Sequence, residues 1–464
     1  MWPSVLRDRF DARARRARRE VPALPGPAGL PLLGSLRALQ RDRLAFFVDA
    51  AAYGPIAHYR LGPFDFYQLN EPEDVERVLL LGTGPVRKDH GTRLLNRLLG
   101  EGLLTSDGAV WRAQRRLVQH AFTPRRIRGH VARMIDAANV EVARWREGET
   151  LDVYAMFGRL TLDVVGRTLF GGDVLDKAQE IGDAMAYVSS FYVERIESPW
   201  PAPEWLPSPA NRRFHDALGT IESVLNGLIE DRRRSGEARD DLLGSLLDAR
   251  DERRQPMSAR QLRDECMTLF LAGHETTAIA LTYTFYALSK HGAVRRRLVD
   301  EIDHVLEGRA PSMDDLPRLE HGARVLKEAM RLYPPAYAIG RELCEPLALR
   351  GHTLPVGAQV VMCQWSMHRD PRFFPQPEAF DPERWAEGRA DALPRYAYFP
   401  FGGGPRVCVG FQFALTEAQL VMTTIAQRAH LELLPGETLS FAPAVTLRPA
   451  RPVRMRVRRR AVGG

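Results

Sequence analysis

Cysteine is scarce in this chain: Cys266, Cys344, Cys363 and Cys408 are all that 464 residues contain, with no Cys-x-x-Cys pair and no disulfide-like spacing. A disulfide scaffold and a four-cysteine cluster are therefore excluded, and free thiols in a reducing, cytoplasmic compartment are expected. Lysine is as scarce, limited to Lys88, Lys177, Lys290 and Lys327 among 65 basic residues. That arginine bias reads as coding composition, so a net charge of +7 argues for no nucleic-acid partner. No run of eighteen uncharged apolar residues occurs, and the best candidate, Met267 to Leu288, carries His274 and Glu275 at its centre. A transmembrane segment is not expected. Residues 1–20 lack the apolar core of a signal peptide and are strongly basic, which predicts an exposed arm. Internal repeats, low-complexity blocks and long linkers are also missing, so residues 21–464 are expected to form one domain.

What is present is an ordinary globular composition, 45% hydrophobic and 27% charged, enough for a large core. After a Pro/Gly segment at Val21 to Gly34 come two short β-like runs, IAHYRLG and FDFYQLN, with turn residues between them. Most of the remainder has helical periodicity. Ser258 and Gln261 form a capping pattern ahead of a helix that should run to about Lys290, and the Pro-rich ESPWPAPEWLPSP breaks helical signals on either side. The fold class is mainly α with a smaller β region.

Cys408 lies in FGGGPRVCVG, Phe401 to Gly410. A thiolate that binds at close range needs approachable backbone, donors for its charge and no competing thiol. Gly402, Gly403, Gly404 and Gly410 meet the first need, and a helix beginning near VGFQFALTEAQL offers free N–H groups for the second. Taken alone, a cysteine beside a glycine turn is more often a buried structural residue. Here Phe401, Gly404, Arg406, Cys408 and Gly410 fall in the order Phe-x-x-Gly-x-Arg-x-Cys-x-Gly. This loop resembles the haem-binding loop of the cytochrome P450 superfamily.

Three further motifs carry the resemblance, which covers nearly the whole chain from about Val21. KEAMR supplies Glu328 and Arg331 on one helix face, and FDPERW supplies Arg384, which in the family completes a buried trio with that pair. AGHETT, Ala272 to Thr277, sits mid-helix, where Gly273 and two threonines predict a local distortion. By resemblance Ala272 borders the dioxygen space, Thr276 donates a hydrogen bond during oxygen activation, and Glu275 relays protons from solvent. WRAQRRLVQHAF places Trp111 and Arg115 four residues apart on one face. With Arg341 and Arg406 they match the family's haem-propionate partners, and His90 is placed there by its distance upstream of Trp111.

The implied fold is the triangular helical domain of the family, with haem b between the long central helix and the helix after the cysteine loop. The implied activity is insertion of one atom of dioxygen into a hydrophobic small molecule. Electrons would come from NAD(P)H through a ferredoxin or flavodoxin and its reductase, because no residues remain for a flavin or iron–sulfur segment, and the protein would be a monomer. The pocket is expected to include Phe270, Leu271, Tyr337, Ala338, Ile339 and Val445, a mostly apolar set that suits a terpenoid, fatty acid or steroid-like ring. Two other readings exist. A peroxide-driven enzyme usually lacks the threonine and acid, and a non-catalytic haem protein usually supplies a sixth ligand.

Overall fold

The computed structural model describes residues 24–460 apart from 173, 198–202, 204, 237–240 and 251–254. The basic segment 1–20 and part of the Pro-rich break lie outside the described residues. The helices that frame the site are, in chain order, α1 (Arg43–Ala51), α2 (His90–Leu94), α3 (Gly108–Val118), α4 (Pro124–Arg144), α5 (Val153–Val165) and α6 (Ala178–Glu197). They continue with α7 (Pro209–Ser235), α8 (Ala259–Lys290), α9 (Gly292–Leu306), α10 (Glu320–Leu332) and α11 (Phe411–Arg428). Among the described residues no helix is long and apolar enough to cross a membrane.

Local chemistry sets the helix ends. Ser258 caps α8 by accepting from the Gln261 N–H at 3.1 Å, and Ser208 with Pro209 opens α7 in the same way. At 32 residues α8 is about 48 Å long and is buried along most of its course, with α5, α10 and α11 packed against it. Helix α8 is unbroken through Gly273. The hydroxyls of Thr276 and Thr277 donate to the carbonyls of Ala272 (2.9 Å) and Gly273 (3.4 Å), back-bonds that the helix accommodates. Gly273 serves packing, because a Cβ there would meet Val165 of α5 at 3.2 Å.

The two β-like runs form the hairpin β1 (Ile56–Leu61) and β2 (Phe64–Leu69). With β3 (Val86–Lys88), β4 (Ile339–Leu343) and β5 (Gln359–Met362) they make a sheet in the order β1-β2-β5-β4-β3. The antiparallel register of β3 on β4 sets Lys88 opposite Arg341. A separate hairpin, β6 (Phe441–Pro443) and β7 (Leu447–Pro449), packs against α8.

Candidate functional site

The cysteine loop is shaped by glycines that nothing else can replace. Gly402 and Gly404 have φ of 71° and 62°, and a Cβ on Gly404 would lie 2.0 Å from the Leu79 carbonyl oxygen. The Cys408 N–H donates to the Phe401 carbonyl at 3.0 Å, closing the loop, and Gly410 is the N-cap of α11. Cys408 is an exposed residue of the loop, yet surrounding protein pushes its thiol up by burial. Both hold if the sulfur faces an internal cradle instead of the outer surface. The Gly410 N–H and the Arg115 charge pull the thiol back down, and Arg115 donates to the Val407 carbonyl at 2.8 Å.

Helix α8 has an open stretch of its own. Ala272 is exposed, and Leu271, Gly273 and Thr276 are half-buried, in the middle of a helix otherwise packed in the core. On the far side His274 and Glu275 are buried, with His274 Nδ1 bonded to the Phe270 carbonyl at 3.0 Å. That arrangement leaves His274 unsuited to serve as a sixth ligand.

Positive charge gathers beside the loop. Lys88 and Arg341 are only 8% and 6% exposed. Arg341 donates to the Gly340 carbonyl at 2.8 Å, and among the described residues neither its guanidinium nor the Lys88 ammonium is ion-paired, although the Lys88 backbone N–H donates to the Asp107 carboxylate at 3.1 Å. Burial, and then the neighbouring Arg406, bring the Arg341 guanidinium down to about 10. Burial together with Arg341 and Arg406 holds the Lys88 ammonium well below its ordinary value. Arg406 is ion-paired to Asp107, donates to the Ser106 carbonyl at 3.3 Å and stacks over Trp111 at 4.6 Å. Buried cations with too few counter-charges call for an anion from outside the chain. A haem fits: its propionates would meet these cations, and its iron the Cys408 thiolate. His90, at the start of α2, packs its ring on Phe64 with centroids 4.4 Å apart, and its N–H donates to Gln359 at 2.9 Å.

Glu328 and Arg331 meet as their spacing predicts, and Arg384 joins them as the family resemblance implies. The Glu328 and Arg331 side chains are fully buried and doubly bonded, at 2.8 and 2.9 Å, and Arg384 Nε reaches Glu328 at 2.9 Å. Trp385 Nε1 (2.9 Å) and the Asp381 N–H (3.0 Å) also donate to Glu328. Arg331 donates further to the carbonyls of His368, Pro377 and Ala379. His368 Nε2 accepts from the Phe399 N–H at 3.0 Å, linking this network to the approach of the cysteine loop.

The expected pocket needs correction at two positions. Phe270 is fully buried against Phe170, so it is core and lines no accessible wall. The Tyr337 hydroxyl is engaged with Arg43 and with the Ala444 carbonyl, which turns it into the core. Leu271, Ala338 and Ile339 are half-buried and Val445 is exposed. Sequence reasoning missed Lys88, His368, Trp385 and Arg448. Only Trp385 had a local signal, as the neighbour of Arg384 in FDPERW.

Residues 24–454 match the family described as Cytochrome P450. The chain is 38% identical to cyclooctat-9-en-7-ol 5-monooxygenase of Streptomyces melanosporofaciens over 89% of its own length and 90% of that protein. It is 32% identical to pentalenene oxygenase of Streptomyces avermitilis over 94% and 97% of the two chains. A cyanobacterial CYP120A1 with retinoic acid bound shares the fold at a TM-score of 0.84 and 28% identity, covering 95% of this chain and all of that one. Fold, matching length and relatives agree: the chain belongs to the cytochrome P450 family, the haem-thiolate monooxygenases that draw electrons from partner proteins.

Proposed function

We propose that the protein oxidises a ring-containing terpenoid hydrocarbon or alcohol, by hydroxylation or epoxidation, with Cys408 as the axial thiolate. Two relatives named for a cyclic alkenol and for pentalenene support the substrate class, as does the apolar character of Leu271, Ala338, Ile339 and Val445. Cys408, exposed in its loop with the Gly410 N–H on its thiol and the Arg115 charge acting on it, carries the reading. Haem bound through such a thiolate supplies reductive activation of dioxygen. The chain's own residues do the rest. Trp111, Arg115, Arg341, Arg406 and Lys88 hold the propionates, and Phe401 and Gly410 frame the sulfur. Thr276 offers its hydroxyl on the exposed face of α8 next to Ala272, and Glu275 relays protons toward it.

Electrons would come from NAD(P)H through a ferredoxin or flavodoxin and its reductase in the cytoplasm, to a monomeric haem protein. Arg112 and Arg116 are exposed on α3, the helix that also bears Arg115, and give an acidic donor a surface close to the loop. The test is reconstitution with such a donor, followed by mass analysis for single-oxygen products from a panel of cyclic terpenes and fatty acids. In parallel, the reduced carbon monoxide complex should show the long-wavelength Soret band of thiolate ligation and lose it in Cys408→His. Retention of the band in that variant would refute the ligand assignment.

A further inference from the structure

Glu275, the proposed proton carrier, is tied down in this structure. Its Oε1 lies 2.5 Å from Arg448 and accepts from the Tyr154 hydroxyl at 3.3 Å, and its Oε2 accepts from the Thr446 hydroxyl at 3.2 Å. Thr276 meanwhile donates to the Ala272 carbonyl, so acid and alcohol do not touch. Arg448 stands on β7 and is itself buried, yet it reaches beyond Glu275. Its guanidinium donates to Ser189 Oγ at 2.7 Å and to the carbonyls of Met185 and Ala186 at 3.4 Å, all on α6. Its Nε is buried with no partner. One guanidinium thus joins the acid of α8, the β6–β7 hairpin and a turn of α6. The other titratable groups near Glu275 are Tyr154, whose hydroxyl burial pushes up, and His274, whose ring burial pushes down. Neither supplies a second cation, so Arg448 is the charge that holds this carboxylate.

We propose that Arg448 is a positioning residue that latches Glu275 against the β6–β7 hairpin and makes its release to Thr276 depend on how α6 is seated. This rests on the reading of Glu275 as the proton carrier. While α6 keeps its three contacts, the guanidinium is fixed and the carboxylate stays closed on it. When α6 shifts, the guanidinium loses that anchorage, and the acid is free to swing toward the exposed face of α8.

In the haem-loaded protein, Arg448→Met leaves Glu275 buried without its cation. A buried, unpaired carboxylate favours the neutral form. Infrared spectroscopy at neutral pH should then show a new carboxylic-acid carbonyl band, absent in Arg448→Lys and in the double variant with Glu275→Gln. Amide hydrogen exchange across Met185–Ser189 should also speed up in Arg448→Met and not in Arg448→Lys. No new acid band together with unchanged exchange in α6 would overturn the proposal. If Arg448→Met does not fold, Ser189→Ala takes its place: faster exchange in the same turn supports the latch, and unchanged exchange overturns it. A separate result bears on the underlying reading. If Glu275→Gln turns over with unchanged coupling and unchanged solvent isotope effect, Glu275 is not the proton carrier, whatever the band and the exchange report about Arg448.

Discussion

Two clusters of buried charge converge near the cysteine loop, and they are built by opposite rules. Around Glu328 every charge is answered from within the chain: two arginines, an indole and a backbone N–H converge on one carboxylate, and Arg331 spends its remaining donors on three carbonyls. Around Arg341 the balance is open. Arg341 and Arg406 both depress Lys88, Arg406 depresses Arg341, and of these three side chains only that of Arg406 is ion-paired to a carboxylate. The first cluster is complete without a ligand, and the second is complete only with an anion. Closure is therefore the feature that distinguishes a structural network from the proposed cofactor site even though both are arginine-rich and buried.

The largest effect should come from breaking the closed cluster. Arg331→Ala leaves Glu328 buried without its principal partner, which costs about 3–5 kcal/mol. Denaturant unfolding should show this loss with or without haem, because the network does not depend on the ligand. A loss seen only in the haem-loaded protein would mean that the cluster serves the cofactor directly.

Breaking the open cluster should split the two readouts. Arg341→Leu removes an unmatched buried cation, so the haem-free protein should be equally stable or more so. Release of haem to a scavenger protein should nevertheless accelerate at least about tenfold, a difference of about 1.4 kcal/mol. Lys88→Met should move both quantities the same way by less, with Lys88→Arg restoring retention. Destabilised haem-free protein in both cations' variants would erase the contrast.

A third effect concerns protons. Burial, then Arg331 and Arg369, hold His368 neutral in the closed cluster, and burial does the same for His274 in α8. Both values are lower folded than unfolded, so below about pH 6.5 the unfolded chain binds more protons. Stability is full above that pH and should fall beneath it, by up to about 1.4 kcal/mol per pH unit for His368, until the folded histidine is itself protonated. His368→Gln, whose amide oxygen can still accept from Phe399, should flatten the dependence by one proton in denaturant titrations at pH 5 to 7. An unchanged slope would show that His368 already titrates in the folded protein.

How much of this was legible in the sequence follows from how far apart the partners lie. Glu328 and Arg331 are one helical turn apart, so spacing displays them, and Gly404, Arg406 and Cys408 share one loop short enough for the family resemblance to mark it. The helix opened by Ser258 and the β1–β2 hairpin were legible for the same reason. Arg448 meets Glu275 only after the chain returns through the β6–β7 hairpin, and Lys88 meets Arg341 only through strand pairing. In sequence an isolated lysine or arginine on a strand looks like any solvated residue. Phe270 failed in the opposite direction: its place beside AGHETT suggested a pocket wall, but its angular position on α8 turns it to Phe170.

The smallest expected effect isolates burial as the variable behind the comparison. Arg128 and Asp314 form an ion pair of 2.8 Å, the same separation as Arg331 and Glu328, but their side chains are 60% and 75% exposed against zero for the buried pair. In water the attraction is largely screened, and fixing two mobile side chains opposes it, so such pairs contribute about 0–1 kcal/mol. A double-mutant cycle of Arg128→Ala with Asp314→Ala should therefore give a coupling near zero that shrinks further as salt rises. A salt-independent coupling as large as the loss in Arg331→Ala would show that contact length, not enclosure, sets the worth of an ion pair in this fold. The open cluster would then need another explanation, since its cations would be no more in want of an anion than any arginine on the surface.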